Sequence, residues 1–476
     1  MAYVRGGARL GGDTAVSGNV VLGAGIAGVA AAYAAQRRGS RATVFEAADR
    51  AGGLLDNFVI DGFRFDTAVH LSFASEPEVR EVFDQTPYIT HDPRSLCYDA
   101  GFWLKHPVQN NMFPLPVEQK VELIAGLAEQ PPAAVNNYRD WLVGQYGSPI
   151  AERWPLVYNE KYWTIPVDEL GTGWIGQRMR RADLREVLRG AFSDDPTNTY
   201  YVKEMRYPRA GGYRAFIEPM IDAVEIVCRH EAVGVDTARR RITFANGRKV
   251  DYDNLVSTMP LPRLIELMGD APDEIRVCAE SLFATSLDLV SIGFNRPRVS
   301  PALWFYIYDR DIAAARAYSP DWKSPENVPE GCSALQFEIY SSRRRPQTRS
   351  PEALKANTLD ALRAMGLATE ADILFVHHTR LPYANVVFDL GMEGRRDKVL
   401  EWVRSRGVTP AGRFGMWDYL WSNQAMSSGT RAAEAAFGVA PAGELASRGR
   451  EPSDDPRQPV PGASLAIAAG VARNGT

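Results

Sequence analysis

The sequence has few of the residues that build metal sites and disulfide frameworks. Among its 476 residues are only four cysteines and six histidines. Cys97, Cys228, Cys278 and Cys332 lie far apart without a CxxC pair, and the histidines show no ligand spacing. This pattern predicts neither a zinc site nor disulfides, and it favours a reducing, cytoplasmic compartment. We therefore expect no bound metal.

An excess of either charge is also missing. The chain has 54 basic and 58 acidic residues, a formal net charge of −4. Two basic triplets, at Arg239–Arg241 and Arg343–Arg345, are short and are typical of solvated turns. Because no extended basic field is present to attract a polyanion, we do not expect nucleic acid as a partner.

The sequence lacks a hydrophobic run long enough for a membrane helix, although one stretch resembles a signal peptide or a short membrane helix. Val20–Gln36 is apolar, and Arg5 and Arg9 precede it as in a signal peptide. However, it contains spaced glycines and continues into a strand-like segment, which favours a folded βα unit over export. No other run approaches the roughly 18 residues that a membrane span needs. We therefore expect no membrane partner.

The same stretch contains a dinucleotide-binding fingerprint. Asn19–Leu22 is predicted as a buried strand and Ile26–Arg38 as a helix, with Gly23, Gly25 and Gly28 in the turn between them. The first glycine allows a tight turn, the second lets a pyrophosphate approach, and the third permits close helix–strand packing. A second strand follows, ending at Glu46, where a carboxylate can accept both ribose hydroxyls.

The rest of the chain predicts an interrupted α/β architecture. The fold class is a Rossmann-like dinucleotide-binding domain with a helical insertion and a second, mainly antiparallel β-sheet domain. Aromatic residues are dense in the helical insertion, and we interpret most of them as packing. The predicted organisation is a first dinucleotide-binding segment at 18–115, a helical substrate domain at 116–200, a second dinucleotide-binding segment at 201–270, a β-sheet substrate domain at 271–395, a third dinucleotide-binding segment at 396–440, and a disordered tail at 441–476.

Several glycine motifs decide between nicotinamide and flavin. Arg50-Ala51-Gly52-Gly53-Leu54 and the segment from Gly62 to His70 resemble motifs of the amine-oxidase-like flavoproteins, as do Gly211-Gly212 and Arg413-Phe414-Gly415. The resemblance implies FAD. The predicted domain is therefore a Rossmann-like FAD-binding domain built from three FAD-binding segments, with the N-terminus of the last helix facing the flavin. The implied cofactor-binding residues are Gly23, Gly25, Gly28, Glu46, Gly52, Gly53, Leu54, Gly212, Gly415, Gln424 and Met426.

An ordered series of motifs resembles the UDP-galactopyranose mutase family, particularly its eukaryotic-type branch, over about residues 19–435. The series consists of His70-Leu71-Ser72-Phe73, Pro107-Val108-Gln109-Asn110-Asn111 (the family's PFQNN), Tyr158-Asn159-Glu160-Lys161-Tyr162-Trp163 (YNxKxW), Trp174-Ile175-Gly176-Gln177-Arg178 (WLGER) and Arg413-Phe414-Gly415-Met416-Trp417-Asp418-Tyr419 (RFGxWxY). Each match is modest, but their order along the chain is specific.

This resemblance implies a redox-neutral isomerase that interconverts pyranose and furanose rings of a nucleotide-diphosphate sugar. Reduced FAD would act through N5 as a nucleophile on the anomeric carbon, and an external reductant would keep it reduced. Arg178 and Arg316 match the family's diphosphate arginines, with Arg310 as an alternative to Arg316. His70 matches the loop beneath the flavin. The implied substrate-binding residues are Phe73, His106, Gln109, Asn159, Trp163, Tyr306, Asn385 and Tyr419.

The chain departs from the family at the nucleotide end and at one phosphate contact. His106 and Asn385 stand where the family has tyrosines, and the NQDHS ending is here Asn423-Gln424-Ala425-Met426-Ser427. The identity of the nucleotide and sugar therefore stays open, as does the oligomeric state.

Two other functions remain as alternatives. One is a redox flavoenzyme of the amine oxidase or desaturase type acting on a small, phosphorylated or acidic substrate. Paired arginines at the flavin argue against a cationic amine. The other is a flavin-binding protein without catalysis, which the changes at His106 and Asn385 motivate.

Overall fold

The structure, a computed structural model, describes residues 18–92, 95–129, 134–175, 183–194 and 204–439. Arg178, the lead-in before residue 18 and the tail predicted for 441–476 lie outside the described residues.

The described ranges contain 19 β-strands and 15 α-helices. The strands are β1 (Asn19–Leu22), β2 (Ala42–Phe45), β3 (Asn57–Ile60), β4 (Phe63–Asp66), β5 (Tyr88–His91), β6 (Ser95–Asp99), β7 (Phe102–Lys105), β8 (Met205–Pro208), β9 (Glu225–Val227), β10 (Ala232–Asp236), β11 (Arg241–Phe244), β12 (Lys249–Asp251), β13 (Asn254–Ser257), β14 (Ser286–Phe294), β15 (Trp304–Ile307), β16 (Arg316–Tyr318), β17 (Ser333–Ser341), β18 (Ile373–Leu381) and β19 (Val408–Pro410). The helices are α1 (Ile26–Arg37), α2 (Pro77–Phe83), α3 (Val117–Ala128), α4 (Tyr138–Tyr146), α5 (Ser148–Arg153), α6 (Pro155–Trp163), α7 (Leu184–Phe192), α8 (Glu218–Ala223), α9 (Leu261–Leu267), α10 (Asp273–Ser281), α11 (Pro320–Lys323), α12 (Pro351–Ala364), α13 (Met392–Ser405), α14 (Gly412–Gly415) and α15 (Ser422–Phe437).

A five-stranded parallel sheet forms the Rossmann-like portion of the fold. Its strand order is β19-β13-β1-β2-β9, so β1 lies in the middle and its neighbours come from distant regions of the sequence. The predicted βαβ unit is confirmed as β1, α1 and β2. Residues of β1 are almost fully buried on both faces, as expected for a central parallel strand.

Helix α1 covers this sheet and packs closely against α15. Half of the residues of α1 are buried alanines, and the helix ends before Gly39, whose positive φ of 78° stops it. The third fingerprint glycine, Gly28, has no room for a side chain, because a Cβ there would collide with the carbonyl oxygen of Gly23. Gly429 of α15 is similarly confined against the backbone of Ala27.

A seven-stranded sheet forms the other large portion of the fold. Its order is β18-β14-β17-β16-β15-β6-β7, and every neighbouring pair is antiparallel except β15 with β6. This confirms the predicted mainly antiparallel sheet. Strands β6 and β7 belong to it although they fall within the first predicted FAD-binding segment, so that segment contributes to both sheets. The domain boundaries themselves stay a prediction.

The helical insertion contributes α3 to α7, and a three-stranded antiparallel sheet of β10, β11 and β12 completes the larger elements. An Asn246-Gly247 turn joins β11 to β12, with Gly247 at a φ of 83°. Within the described ranges, no helix combines the length and apolarity required to cross a bilayer.

Candidate functional site

A cavity of about 930 Å³ lies against one face of the seven-stranded sheet. Ten residues that the sequence predicts as catalytic or substrate-binding line its wall, although they are spread over 350 positions of the chain. They are His70, Phe73, His106, Gln109, Asn159, Trp163, Tyr306, Arg316, Asn385 and Tyr419. Their individual roles remain predictions. Arg178, the eleventh, lies outside the described residues.

Aromatic side chains make up much of the cavity wall. Six aromatic residues of the helical insertion line the cavity. They are Tyr138, Tyr146, Tyr158, Tyr162, Trp163 and Trp174. Trp163 was predicted to bind the substrate, whereas the other five were not predicted as site residues. Trp163 packs edge-on against Tyr162 at 5.0 Å between ring centroids, and Tyr158 stacks on Tyr162 at 5.5 Å. The aromatic residues therefore both pack and line the site, because α6 presents one face to the cavity.

Arg316 of β16 is paired with a buried carboxylate. Its Nε donates to Oε2 of Glu338 on β17, and its Nη2 donates to the Tyr340 hydroxyl at 3.1 Å. Strand register sets this contact, because Arg316 and Glu338 face each other across the β16–β17 pair. The sequence alternative, Arg310, is instead largely exposed and paired with Glu160 at 3.0 Å. Of the two, Arg316 is the arginine at the cavity.

A second guanidinium, that of Arg413, lines the same cavity. Its Nε and Nη2 donate to the carbonyl oxygen of Leu420, at 2.9 and 2.6 Å, and Nη1 donates to that of Ala384. No carboxylate within the described ranges pairs with it. The guanidinium also lies 5.4 Å from the ring centroid of Tyr419. Arg413 belongs to the RFGxWxY motif of the sequence, but it was not predicted as a site residue.

Two histidines of the cavity wall are neutral at physiological pH. Burial lowers the pKa of His70 from 6.5 to about 4, an effect that the nearby Asp66 carboxylate only partly opposes. Burial likewise lowers the pKa of His106 to about 4. The Nδ1 atom of His70 is buried and has no hydrogen-bond partner among the described residues, and its ring lies 5.3 Å from that of Tyr213. His106 packs against Tyr306 at 4.8 Å.

Hydroxyl and amide groups complete the polar region of the wall. The hydroxyls of Tyr419 and Tyr162 are 3.1 Å apart. Asn159 is held within α6, since its Oδ1 accepts from Trp163 Nε1 at 3.1 Å and its Nδ2 donates to the Pro155 carbonyl. Asn385 Oδ1 accepts a longer bond from Arg413 Nη1 at 3.4 Å. These contacts fix the orientation of the groups before any ligand binds.

The glycine-rich turn provides a cradle that fits a dinucleotide. Gly23 has a φ of 98° and lies against Thr258, whereas a Cβ on Gly25 would meet no atom of the described residues within 4 Å. This open space is what a pyrophosphate needs beside the second glycine. Glu46 follows β2, and its carboxylate accepts from the backbone amides of Ala24 and Ala48 at 2.7 and 2.9 Å. It is thus anchored to the turn.

The other predicted cofactor residues border this cradle or the cavity. Gly52 donates its amide to the Ala24 carbonyl at 2.9 Å, and Gly53 approaches Gly25. Leu54 lines the cavity. Gly212, at a φ of 73°, leaves no room for a side chain beside Asn57 and Asp66, and Gly415 leaves none beside the Ser257 carbonyl.

The start of α15 contributes through its backbone more than through its side chains. Gln424 Oε1 accepts the Trp421 amide at 2.9 Å and so caps the helix. The Met426 side chain is buried in the core beside α1. Across the described ranges, no group of three or more His, Cys, Asp or Glu side chains is placed to hold a metal ion.

Glu338 and Tyr340 are further residues that sequence reasoning missed. Both lie on β17, an entirely buried strand whose sequence SALQFEIYS has polar residues at alternate positions 336, 338 and 340. A charged residue inside a fully buried strand usually has a partner, and that alternation was the available signal. The partner itself could not be identified from the sequence.

Comparisons with known proteins agree with this architecture. A model of the NAD(P)-binding Rossmann-like domain matches residues 21–86. Protoporphyrinogen oxidase 2 of Arabidopsis thaliana is 43% identical over 72 residues, which is 15% of this chain and 14% of that protein. The crystal structure of reduced UDP-galactopyranose mutase aligns with a TM-score of 0.83 at 24% identity, covering 89% of this chain and 96% of that one. A proposed protoporphyrinogen oxidase from Exiguobacterium sp. 255-15 aligns with a TM-score of 0.68 at 18% identity, covering 88% and 98%.

Fold and site together define an α/β protein with a Rossmann-like dinucleotide-binding domain and an interposed antiparallel sheet that supports a large cavity. The same architecture occurs in the mutase and the proposed oxidase structures, and at these identities the likeness concerns the fold.

Proposed function

We propose that this protein is a flavin-dependent nucleotide-sugar mutase that interconverts pyranose and furanose rings. The observation that supports it is the convergence of ten predicted site residues, from His70 to Tyr419, on one cavity. A shared wall is what we expect of residues so distant in sequence if they serve one function. The similarity of the fold to that of UDP-galactopyranose mutase is consistent with this proposal.

FAD is the cofactor that the glycine cradle would hold. Gly23, Gly25 and Gly28 would admit the pyrophosphate, and Glu46 would accept the ribose hydroxyls. Gly52 and Gly53 would let the cofactor pass close to the backbone. When bound and reduced, the flavin supplies a nucleophile for the sugar.

The two arginines would bind the diphosphate of the substrate. Arg316 uses Nε and one Nη2 proton for internal contacts, so its Nη1 edge remains for an anion. Arg413 donates to carbonyl oxygens, and no carboxylate of the described ranges compensates its charge. A guanidinium stays protonated at any relevant pH and binds phosphate through parallel hydrogen bonds. Arg178 would add a third contact.

The uncharged region of the wall would hold the remainder of the substrate. Tyr306 and His106 present aromatic faces for a nucleobase, and the neutral state of His106 adds no charge there. Asn159, Trp163 and the Tyr162–Tyr419 hydroxyl pair would border the sugar. The density of aromatic rings limits the water that could reach a reactive sugar intermediate.

The test is to load the protein with FAD, reduce it anaerobically with dithionite, and incubate it with a panel of nucleotide-diphosphate sugars. Products are separated by chromatography and weighed by mass spectrometry. We expect an isomer of unchanged mass that forms only with reduced flavin. Absence of any isomer across the panel, with nucleotide binding intact, contradicts the mutase proposal.

A FAD-dependent oxidoreductase is the second candidate, and the Arg316–Glu338 pair favours it. Because Glu338 compensates the charge of Arg316, the cavity repels a cationic substrate less than two unpaired arginines would. In the same experiment, bleaching of the oxidised flavin by a substrate without isomer formation would identify this activity. If no nucleotide raises the melting temperature, the third alternative, a binding protein without catalysis, is favoured.

A further inference from the structure

Glu338 contacts two separate regions of the cavity wall. Its Oε2 accepts from Arg316 Nε and from the Tyr340 hydroxyl, and its Oε1 accepts from the Val69 amide at 2.8 Å. The side chain is completely buried and does not line the cavity. It therefore lies behind the wall and joins β16 to the Thr67–His70 segment.

The Thr67–His70 segment is continuous with the glycine cradle. Thr67 Oγ1 donates to the Leu54 carbonyl at 2.7 Å, and the Thr67 amide donates to the Asp56 carbonyl at 3.0 Å. Ala68 has a φ of 98°, a conformation that a residue with a side chain rarely adopts. All four residues of the segment line the cavity. A contact with the Val69 amide therefore acts on the part of the cavity wall that adjoins the glycine cradle, where the cofactor would bind.

We propose that Glu338 is a positioning residue that ties the anion-binding edge of Arg316 to the Val69–His70 backbone, so that anion binding and the redox state of the bound flavin influence each other. This inference rests on the proposed function, since it takes FAD and a diphosphate as the ligands. A rotation of Arg316 toward an anion would move the carboxylate, and the carboxylate would move the Val69 amide.

Such coupling must be reciprocal. If anion binding changes the reduction potential of the flavin, then the oxidised and the reduced enzyme must differ in their affinity for the anion by the same free energy. A carboxylate that only compensated the charge of Arg316 would alter the affinity in both redox states equally. The ratio of the two dissociation constants therefore separates positioning from simple charge compensation.

The experiment measures inorganic pyrophosphate binding to FAD-loaded protein by calorimetry, in the oxidised state and after dithionite reduction. For the wild type we expect dissociation constants that differ at least fivefold between the two states. Glu338→Asp keeps the charge but is too short to reach both Arg316 and Val69, and we expect its ratio to fall below twofold. Glu338→Gln should do the same if it folds.

A control variant should keep the wild-type ratio. Glu160→Gln breaks a surface Glu–Arg pair of similar chemistry and leaves the Arg316–Glu338–Val69 connection. A wild-type ratio below twofold, or a Glu338→Asp ratio equal to that of the wild type, overturns the inference. Failure to isomerise any sugar while pyrophosphate still binds contradicts the mutase proposal alone. A protein that takes up no FAD contradicts both.

Discussion

Single residues in the cavity wall already make the protein sensitive to acid. His70 and His106 titrate near pH 4 in the folded chain and near pH 6.5 when unfolded, because burial disfavours the charged imidazole and lowers each pKa. The unfolded chain thus binds more protons between these values, and the free energy of unfolding decreases as the pH falls from about 6.5 to 4.

The histidine effect can be measured on one residue. We expect His106 to cost about 1 to 2 kcal/mol of stability at pH 5 relative to pH 7. Urea unfolding of the wild type and His106→Gln at both pH values gives the difference. The variant should lose less stability than the wild type on acidification, and parallel losses would mean that folded His106 is protonated at pH 5.

The Arg316–Glu338 pair predicts strong non-additivity. Arg316→Met leaves a completely buried carboxylate without its guanidinium, which should cost about 3 to 5 kcal/mol. Glu338→Gln in the same chain removes that charge, and we expect the double variant to recover at least half of the loss. Urea unfolding of the two single variants and the double variant closes the cycle. A double variant as unstable as the sum of the singles would contradict this account.

At the scale of elements, we expect two glycines of the βαβ turn to have different roles. Gly28 would be needed for folding, and Gly25 would be needed for binding the dinucleotide. In Gly28→Ala the new Cβ collides with the Gly23 carbonyl, so we expect about 2 to 3 kcal/mol of destabilisation. In Gly25→Ala the Cβ enters open space, so the fold should be kept while the pyrophosphate path is blocked.

Both glycine variants are assayed by melting temperature and by visible flavin absorbance per protein. Gly25→Ala should melt within about 2 °C of the wild-type apoprotein yet retain less than about a tenth of its flavin. Normal flavin content in Gly25→Ala would show that the dinucleotide does not use this turn.

Lys161 links helix α6 to the connection between β15 and β16. Its buried ammonium donates to the carbonyl oxygens of Ile307, Asp309 and Ala314, at 3.1, 2.5 and 3.2 Å. Burial lowers its pKa from 10.5 to about 7, with the Asp309 carboxylate opposing the shift. Between those values the unfolded chain binds the extra proton, so the contribution of Lys161 to stability increases as the pH rises from 7 towards 10.

The matched variant for this element is Lys161→Met, which keeps much of the volume and removes the titration. We expect wild-type stability to gain about 2 kcal/mol between pH 7 and 9 relative to this variant. Chemical unfolding at the two pH values measures it. If both proteins respond to pH alike, Lys161 remains charged in the folded state up to pH 9.

Whether an element or a contact could be predicted from the sequence depended on how far apart along the chain its signals lie. The βαβ unit was predictable because its signals lie within about 30 residues: a buried strand, three glycines and a carboxylate after the next strand. The Arg316–Glu338 pair was not, because it depends on the register between β16 and β17, which is set by the whole sheet. The tyrosines of α6 were interpreted as packing because period alone cannot distinguish a core face from a cavity wall.

For the whole molecule, the sequence indicated a domain interrupted by insertions. The strand order of the parallel sheet shows how the separated segments of that domain come together. Central β1 pairs with β2, close in sequence, and with β13, more than 200 residues away. Beyond β13 lies β19, and α1 packs on α15 near the end of the described chain. The three segments predicted as FAD-binding thus each contribute strands to this one parallel sheet.

This topology predicts that residues 18–115 do not fold alone. Without β13 and α15 the fragment would expose Val20 and Val21 on opposite faces of β1, together with the alanine face of α1. We expect the isolated fragment to lack a cooperative thermal transition by circular dichroism, whereas the full chain melts cooperatively. Adding FAD should not restore a transition to the fragment, because Thr258, which lies against Gly23 of the turn, comes from a missing segment. A fragment that unfolds cooperatively would show instead that the first βαβ unit is an autonomous domain.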